Sequence, residues 1–261
     1  MLLAIDVGNS NIVLGVFDRG SHLAESWRLA TMRERTSDEV GILVTHLFAR
    51  SGIPLDQVTG IILSSVVPPL TRTMEEMAQR FFGRSPLTVD PATNTGMPVL
   101  YSPATDVGAD RVVNAVAAYE AYGRAAHAPV IVVDFGTATT FDAISAAGEY
   151  IGGVICPGIG ISADALFQRA ARLPRVDVRK PAAVIGRTTV TSMQAGLYFG
   201  YVAMVDGIVT RMRSELEAGD RAACIATGGM ADVIASDTTT IERVVPDLTL
   251  EGLRLIWERN Q

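Results

Sequence analysis

The sequence has no surplus of positive charge. Its 22 Lys and Arg stand against 28 Asp and Glu, giving a net charge of −6 and a pI near 5.1. A nucleic-acid footprint needs Lys and Arg clustered on one face, so nucleic acid is not expected as a partner. Cysteine is scarce: only Cys156 and Cys224 occur, with no CxxC pair. That usage fits a reduced, cytoplasmic protein in which both thiols are small buried apolar groups. The three histidines, His22, His46 and His127, are scattered without ligand spacing, so they build neither a zinc site nor a Ser-His-Asp triad. The G-x-x-x-x-G-K-[ST] run is absent, and no G-x-G-x-x-G follows a strand, which disfavours a Walker loop and dinucleotide binding. Long apolar runs are lacking too. The nearest, SMQAGLYFGYVAMVDGIV from Ser192 to Val209, carries Gly196 and Gly200 at GxxxG spacing but is interrupted by Asp206. It reads as a buried or subunit-interface helix, not a membrane span. The apolar start MLLAI has no basic segment before it and stops at Asp6, so a strand is expected there and not a signal peptide.

What the sequence does have is a repeated phrase. IDVGNSN, from Ile5 to Asn11, returns about half a chain later as VDFGTAT, from Val133 to Thr139. The surrounding pattern repeats as well. LLAIDVG, NIVLGVFD and HLAESWRLAT read as three strands, followed by a helix over residues 37–50 capped by Thr36 or Ser37. VTGIILSSVV is a buried strand, PPLTRTMEEMAQRFF a helix that starts on proline, and PLTVD a short strand. The second half runs PVIVVDFG, TTFDAIS and EYIGGVICPG as strands, then the helix ISADALFQRAARL and a long helix from about Thr189 to Leu216. The strand RAACIATGG, the helix start MADVIAS, the strand TIERVV and a terminal helix LTLEGLRLIWERN complete it. With 48% hydrophobic and 19% charged residues over 261 positions, the composition is globular and supports sizeable cores. The expected fold is α/β: two similar lobes of duplicated βββαβαβ units, residues 1–120 and 121–261, with a cleft between them. GADRVVNAVAAYEAYG, from Gly108 to Gly123, is expected to be a helix crossing from one lobe to the other.

A turn of glycine and small polar residues can aim several backbone N–H groups at one point, which makes a phosphate cradle. An aspartate beside such a cradle would repel phosphate unless a cation lies between them, and Mg²⁺ is commonly held by one or two carboxylates with phosphates and water. For one aspartate alone, a hydrogen bond within its own turn accounts for it equally well. For Asp6 and Asp134 in matched positions, a nucleotide with its metal accounts for the pair better. IATGGMA, from Ile225 to Ala231, suits close approach of adenine or ribose to backbone, although strand-Gly-Gly-helix is a common turn.

DVGNSN, SSVVPPL, YSPATDVGADRVVNA, VVDFGTATTFDAI, GGVICPGIGISADALFQRAARLP, GRTTVTSMQAGLYFG and ATGGMA occur in this order along nearly the whole chain. Together they resemble the type III pantothenate kinase family of the acetate and sugar kinase/Hsp70/actin superfamily. GADR combined with both aspartate turns is the specific part. Ser10 stands where the family usually has threonine, and the hydroxyl is kept.

The resemblance implies an actin-like ATPase, ribonuclease H-like architecture. It implies ATP-dependent phosphorylation of the primary hydroxyl of pantothenate, the first step of coenzyme A biosynthesis. It also implies Mg²⁺ with ATP, a monovalent cation (K⁺ or NH₄⁺), and a homodimer. Carried over residue by residue, Asp110 is the base that accepts the hydroxyl proton. Arg111 holds the pantothenate carboxylate, and Tyr101, Gly108 and Ala109 complete the acceptor site. Thr189 reaches that site from the partner subunit. Asp6, Val7, Gly8, Asn9, Ser10, Asn11, Ile12 and Val13 take the ATP phosphates, Asp6 also meeting Mg²⁺ directly or through water. Thr137 contacts ATP, and Asp134 is the monovalent-cation ligand. Two other readings stand beside this one: a kinase of the same superfamily with another small acceptor, and a nucleotide-binding regulatory factor without turnover.

Overall fold

The phrase apolar-Asp-x-Gly folds into the same hairpin twice. The structure, a computed structural model, describes residues 1–261 and divides into two units, Met1–Ala117 with Leu248–Gln261 and Ala118–Asp247. The first unit contains β1 (Leu2–Val7), β2 (Asn11–Phe17), β3 (Leu23–Ala30), α1 (Ser37–Arg50), β4 (Gly60–Ser65), α2 (Pro68–Phe82), β5 (Leu87–Thr88) and α3 (Ala109–Ala118). The second contains β6 (Val130–Phe135), β7 (Ala138–Ile144), β8 (Tyr150–Pro157), α4 (Ile159–Arg169), α5 (Thr189–Glu215), β9 (Ala223–Thr227), α6 (Ala231–Ala235) and β10 (Arg243–Val244). The last helix, α7 (Leu248–Arg259), belongs to the first unit.

Both sheets have five strands in equivalent order, β3-β2-β1-β4-β5 and β8-β7-β6-β9-β10. In each, the first three strands pair antiparallel and the remaining neighbours are parallel. Burial along β1 matches that along β6 position by position, and β2 matches β7 in the same way. The central strands are continuous apolar runs because both faces are covered. Each sheet has its own core, one built around Leu3, Ile5, Leu63 and Phe48, the other around Ile131, Val133, Phe141 and Tyr198.

Local chemistry sets the helix ends. Thr36 opens α1 with a full capping box, its hydroxyl accepting from the Glu39 N–H while Glu39 accepts from the Thr36 N–H at 2.8 Å. Pro68 sits in the first turn of α2, where a missing N–H costs nothing, and Gly83 ends that helix at φ 64°. The helix expected across Gly108–Gly123 is α only to Ala118. Residues 119–123 form a wider π turn, and a side chain at Gly123 would press on the Tyr119 ring.

The second lobe expected over 121–261 and the observed unit differ at α7. This helix packs on the first sheet, where Leu250 closes over Gly15 and Trp257 over Gly60. A Cβ at Gly15 would lie 2.7 Å from Leu250 Cδ1, and one at Gly60 would collide with the indole. Its amphipathic pattern shows that one face is buried, but carries no information on which sheet buries it.

Candidate active site

In the first unit the candidate residues gather at the carboxyl ends of β1 and β4. Asp6 is half-buried there, opposite Val13 of β2 and Ser64 of β4. The turn after β1 is closed by the Gly8 N–H donating to the Asn11 carbonyl at 2.9 Å. It is tied to the end of β3, since the Thr31 hydroxyl donates to the Gly8 carbonyl at 2.7 Å and the Thr31 N–H to the Ser10 carbonyl at 3.0 Å. Asn9 and Ser10 are exposed, whereas Val7 and Ile12 have core side chains and can offer a ligand only their backbone. Thr31 was not among the residues expected from sequence. It lies far along the chain from the turn, and only strand pairing brings it back.

The GADR segment reaches this strand end as well. The Val66 N–H, just past β4, donates to the Val7 carbonyl at 3.0 Å. A Cβ on Gly108 would lie 3.7 Å from Val66 Cγ1 and only 2.5 Å from Asp110 Oδ1. The Asp110 carboxylate, where it stands, thus occupies the space that a side chain at 108 would take. Asp110 lies in the first turn of α3 and accepts the Arg111 N–H at 2.8 Å. Burial pushes its carboxyl above the usual carboxylate range, against the opposing pull of that N–H and of the Arg111 guanidinium. Arg111 itself is buried, at 9% exposure, which is not the environment of an ordinary surface arginine. Ala109 is half-buried, and Tyr101 lies on the exposed approach to the helix.

The second unit repeats the arrangement with a turn one residue shorter: Val7 pairs Ile12, whereas Phe135 pairs Thr139. Asp134 is half-buried at the end of β6, opposite Thr140 of β7 and Thr227 of β9. Two glycines let backbone close around it. Gly228, at φ 94°, has no room for a Cβ because Asp134 Oδ1 is there, and a Cβ on Gly158 would collide with the Thr137 carbonyl. Gly228, the first glycine of IATGGMA, thus faces the Asp134 carboxylate. Gly158 is the residue before α4, so the unpaired N–H groups of that helix start beside the turn holding the exposed Thr137. With no acidic residue in its first turn, the helix start favours an anion there.

Thr189 opens α5, whose preceding residue Thr188 caps it. It is exposed on the wall of a groove of about 1050 Å³ lined also by Leu166, Met193, Gly196, Gly200 and Tyr201.

No three His, Cys, Asp or Glu side chains converge on one point. A divalent ion at Asp6 would therefore rely on phosphate and water oxygens for most of its ligands, as Mg²⁺ commonly does. The strand neighbours of Asp134 are Thr140 and Thr227, and a carboxylate with threonine hydroxyl oxygens suits a hard monovalent cation.

This duplicated α/β unit, with an aspartate-ended first strand in each half, is the actin-like ATPase class of fold. Solved structures agree. A candidate Baf family transcriptional activator from Campylobacter jejuni superposes with a TM-score of 0.61 at 18% identity, covering 99% of this chain and 98% of its own. A candidate 2-dehydro-3-deoxygalactonokinase from Sinorhizobium meliloti gives 0.52 at 12% identity, covering 99% and 95%. Sequence likeness is closer. The profile of type III pantothenate kinase matches residues 2–211. The type III pantothenate kinase of Myxococcus xanthus is 57% identical over 100% of this chain and 99% of its own, and that of Geobacter sulfurreducens is 55% identical over the full length of both. The chain belongs to the type III pantothenate kinase family.

Proposed function

We propose that this chain transfers the γ-phosphoryl group of ATP to the primary hydroxyl of pantothenate, giving 4′-phosphopantothenate at the start of coenzyme A biosynthesis. The observation that carries the reading is Asp110: a partly buried carboxylate with a raised pKa, folded over a glycine at a helix start and followed by a buried arginine. Asp110 accepts the proton of the attacking hydroxyl as its oxygen approaches the γ-phosphorus. A raised pKa makes the ionised form a stronger base. Arg111 supplies a planar pair of donors for the pantothenate carboxylate, with Tyr101, Gly108 and Ala109 completing the acceptor site. The turn from Asp6 to Val13 orients the ATP phosphates, and Thr137 adds a contact from the second turn. Bound Mg²⁺ would offset phosphate charge near Asp6, and a monovalent cation would do so near Asp134. Phosphoryl transfer proceeds through a loose transition state, so positioning and charge compensation supply most of the rate.

A homodimer is part of the proposal. Gly196, Gly200 and Gly207 lie on the exposed side of α5, and a Cβ on any of them would meet open space. Helix-interior glycine costs about 1 kcal/mol relative to alanine, and nothing within the chain requires it here. Close approach of a second copy does, and it would bring the partner's groove wall, with Thr189, to the acceptor site. No helix is long and apolar enough to cross a membrane, and we place the protein in the cytoplasm.

The test is ADP release with MgATP, with and without pantothenate, in potassium and in sodium buffer. Pantothenate-dependent release that falls roughly 10²–10⁴-fold in Asp110→Asn supports the assignment. Release indifferent to pantothenate redirects it to another acceptor.

A further inference from the structure

Beneath Asp134 lies a second carboxylate that the proposed chemistry does not use. Asp142 of β7 is fully buried, as is Tyr150 of β8. The Tyr150 hydroxyl donates to Asp142 Oδ1 at 2.7 Å, and the Thr140 hydroxyl donates to Oδ2 at a longer 3.4 Å. Thr140 and Asp142 are two apart on one strand and share a sheet face. Thr140 pairs directly with Asp134, so the side chains of Asp134, Thr140 and Asp142 stand in a row on that face.

The duplicated fold provides its own control. In the first unit Gly15 pairs with Ala4 as Asp142 pairs with Val132 in the second. The first unit fills that position with Leu250 over the glycine. The hairpin therefore folds without a carboxylate here, and enclosing one is costly unless it is well satisfied.

A hydroxyl has one proton and two acceptor lone pairs. With its proton turned toward Asp142 at 3.4 Å, Thr140 can present lone pairs toward Asp134. Directly paired residues have Cβ atoms roughly 5 Å apart, a gap that one hard cation can bridge between a carboxylate and a hydroxyl oxygen. We propose that Thr140 is an additional oxygen ligand for the cation held at Asp134, and that Asp142 is the positioning residue that orients it. The proposal rests on the reading of Asp134 as the monovalent-cation residue.

The test measures the potassium midpoint in two ways: thermal stabilisation with a non-hydrolysable ATP analogue, and pantothenate-dependent turnover, both with choline chloride holding ionic strength constant. In Asp142→Asn the amide can still accept from Tyr150, but its NH₂ meets the Thr140 hydroxyl and turns that proton toward Asp134. The expected result is a midpoint raised about 10–100-fold in both readouts for Asp142→Asn and Thr140→Val, restored to within about threefold in Thr140→Ser. A purely structural Asp142 would lower the melting temperature without potassium and leave the midpoint alone. If Asp134→Asn abolishes the potassium response while Asp142→Asn and Thr140→Val keep the original midpoint, the proposal is overturned and the Asp134 reading stands. If the unsubstituted chain shows no potassium response, or Asp134→Asn retains its midpoint, the Asp134 reading fails and the proposal falls with it.

Discussion

Burial holds the Asp110 pKa up, while the reaction needs the carboxylate ionised. As pH rises from the ordinary value of about 3.9 to the raised folded value, the folded chain binds this proton more tightly than the unfolded chain. Stability therefore falls across that window and stays lower above it. Asp110→Asn, which can still accept the Arg111 N–H, is expected to melt at the same or a higher temperature at pH 7. The difference should close in acid, while turnover is lost. A variant less stable at pH 7, with the deficit closing in acid, would mean that the ionised carboxylate stabilises the helix start instead of opposing folding. Gly108→Ala tests the same geometry from the other side. Its Cβ, 2.5 Å from Asp110 Oδ1, would displace the carboxylate, lowering kcat about 10²-fold with the KM for ATP unchanged. An unchanged kcat would show that the carboxylate position does not matter. The matched strand-end positions of Asp6 and Asp134 were legible in the repeated phrase, whereas Asp110 was named only through the family resemblance. The roles of Gly108, Gly158 and Gly228 were not legible, because a glycine signals only that something comes close. What comes close is a carboxylate or a carbonyl brought in by folding.

At the scale of elements, the repeated strand pattern was readable because apolar runs ending in Asp-x-Gly specify strand and turn together. The two-residue strands β5 and β10 and the π turn at 119–123 owe their form to neighbours, which no local pattern reports. Asp206 shows how an apparent flaw in a helix acquires a reason. It interrupts the apolar run of α5, yet its carboxylate accepts the N–H and hydroxyl groups of both Thr239 and Thr240 at 2.8–3.1 Å. Partial burial would raise its pKa, but these four donors outweigh burial and hold it below the usual range. A lowered folded pKa contributes stability above the unfolded value, about 3.9, and that contribution is lost as pH falls through the folded value. Asp206→Ala is expected to cost roughly 1.5–3 kcal/mol in urea unfolding at pH 7, with the deficit shrinking at low pH. A deficit independent of pH would mean that packing, not the ionised cap, accounts for it.

For the whole molecule, duplication was the most legible feature, since one unit could be checked against the other. The path of α7 back to the first unit was the least legible. The question that remains is how many copies act together. The exposed glycines of α5 make that testable with little disturbance of the fold, because a Cβ placed on them meets no atom of the same chain. Gly200→Leu should leave the melting temperature of the single chain unchanged or raised, since helix propensity improves by about 1 kcal/mol. The same change fills the surface a second copy would approach. Sedimentation should show a monomer, and turnover should fall with it if Thr189 must come from the partner. Mixing Gly200→Leu with unsubstituted chain would not restore its activity. A Gly200→Leu protein that sediments as a monomer and turns over at the full rate would make each copy a complete enzyme. A Gly200→Leu protein that still sediments as a dimer would leave the helix-interior glycines needing another cause.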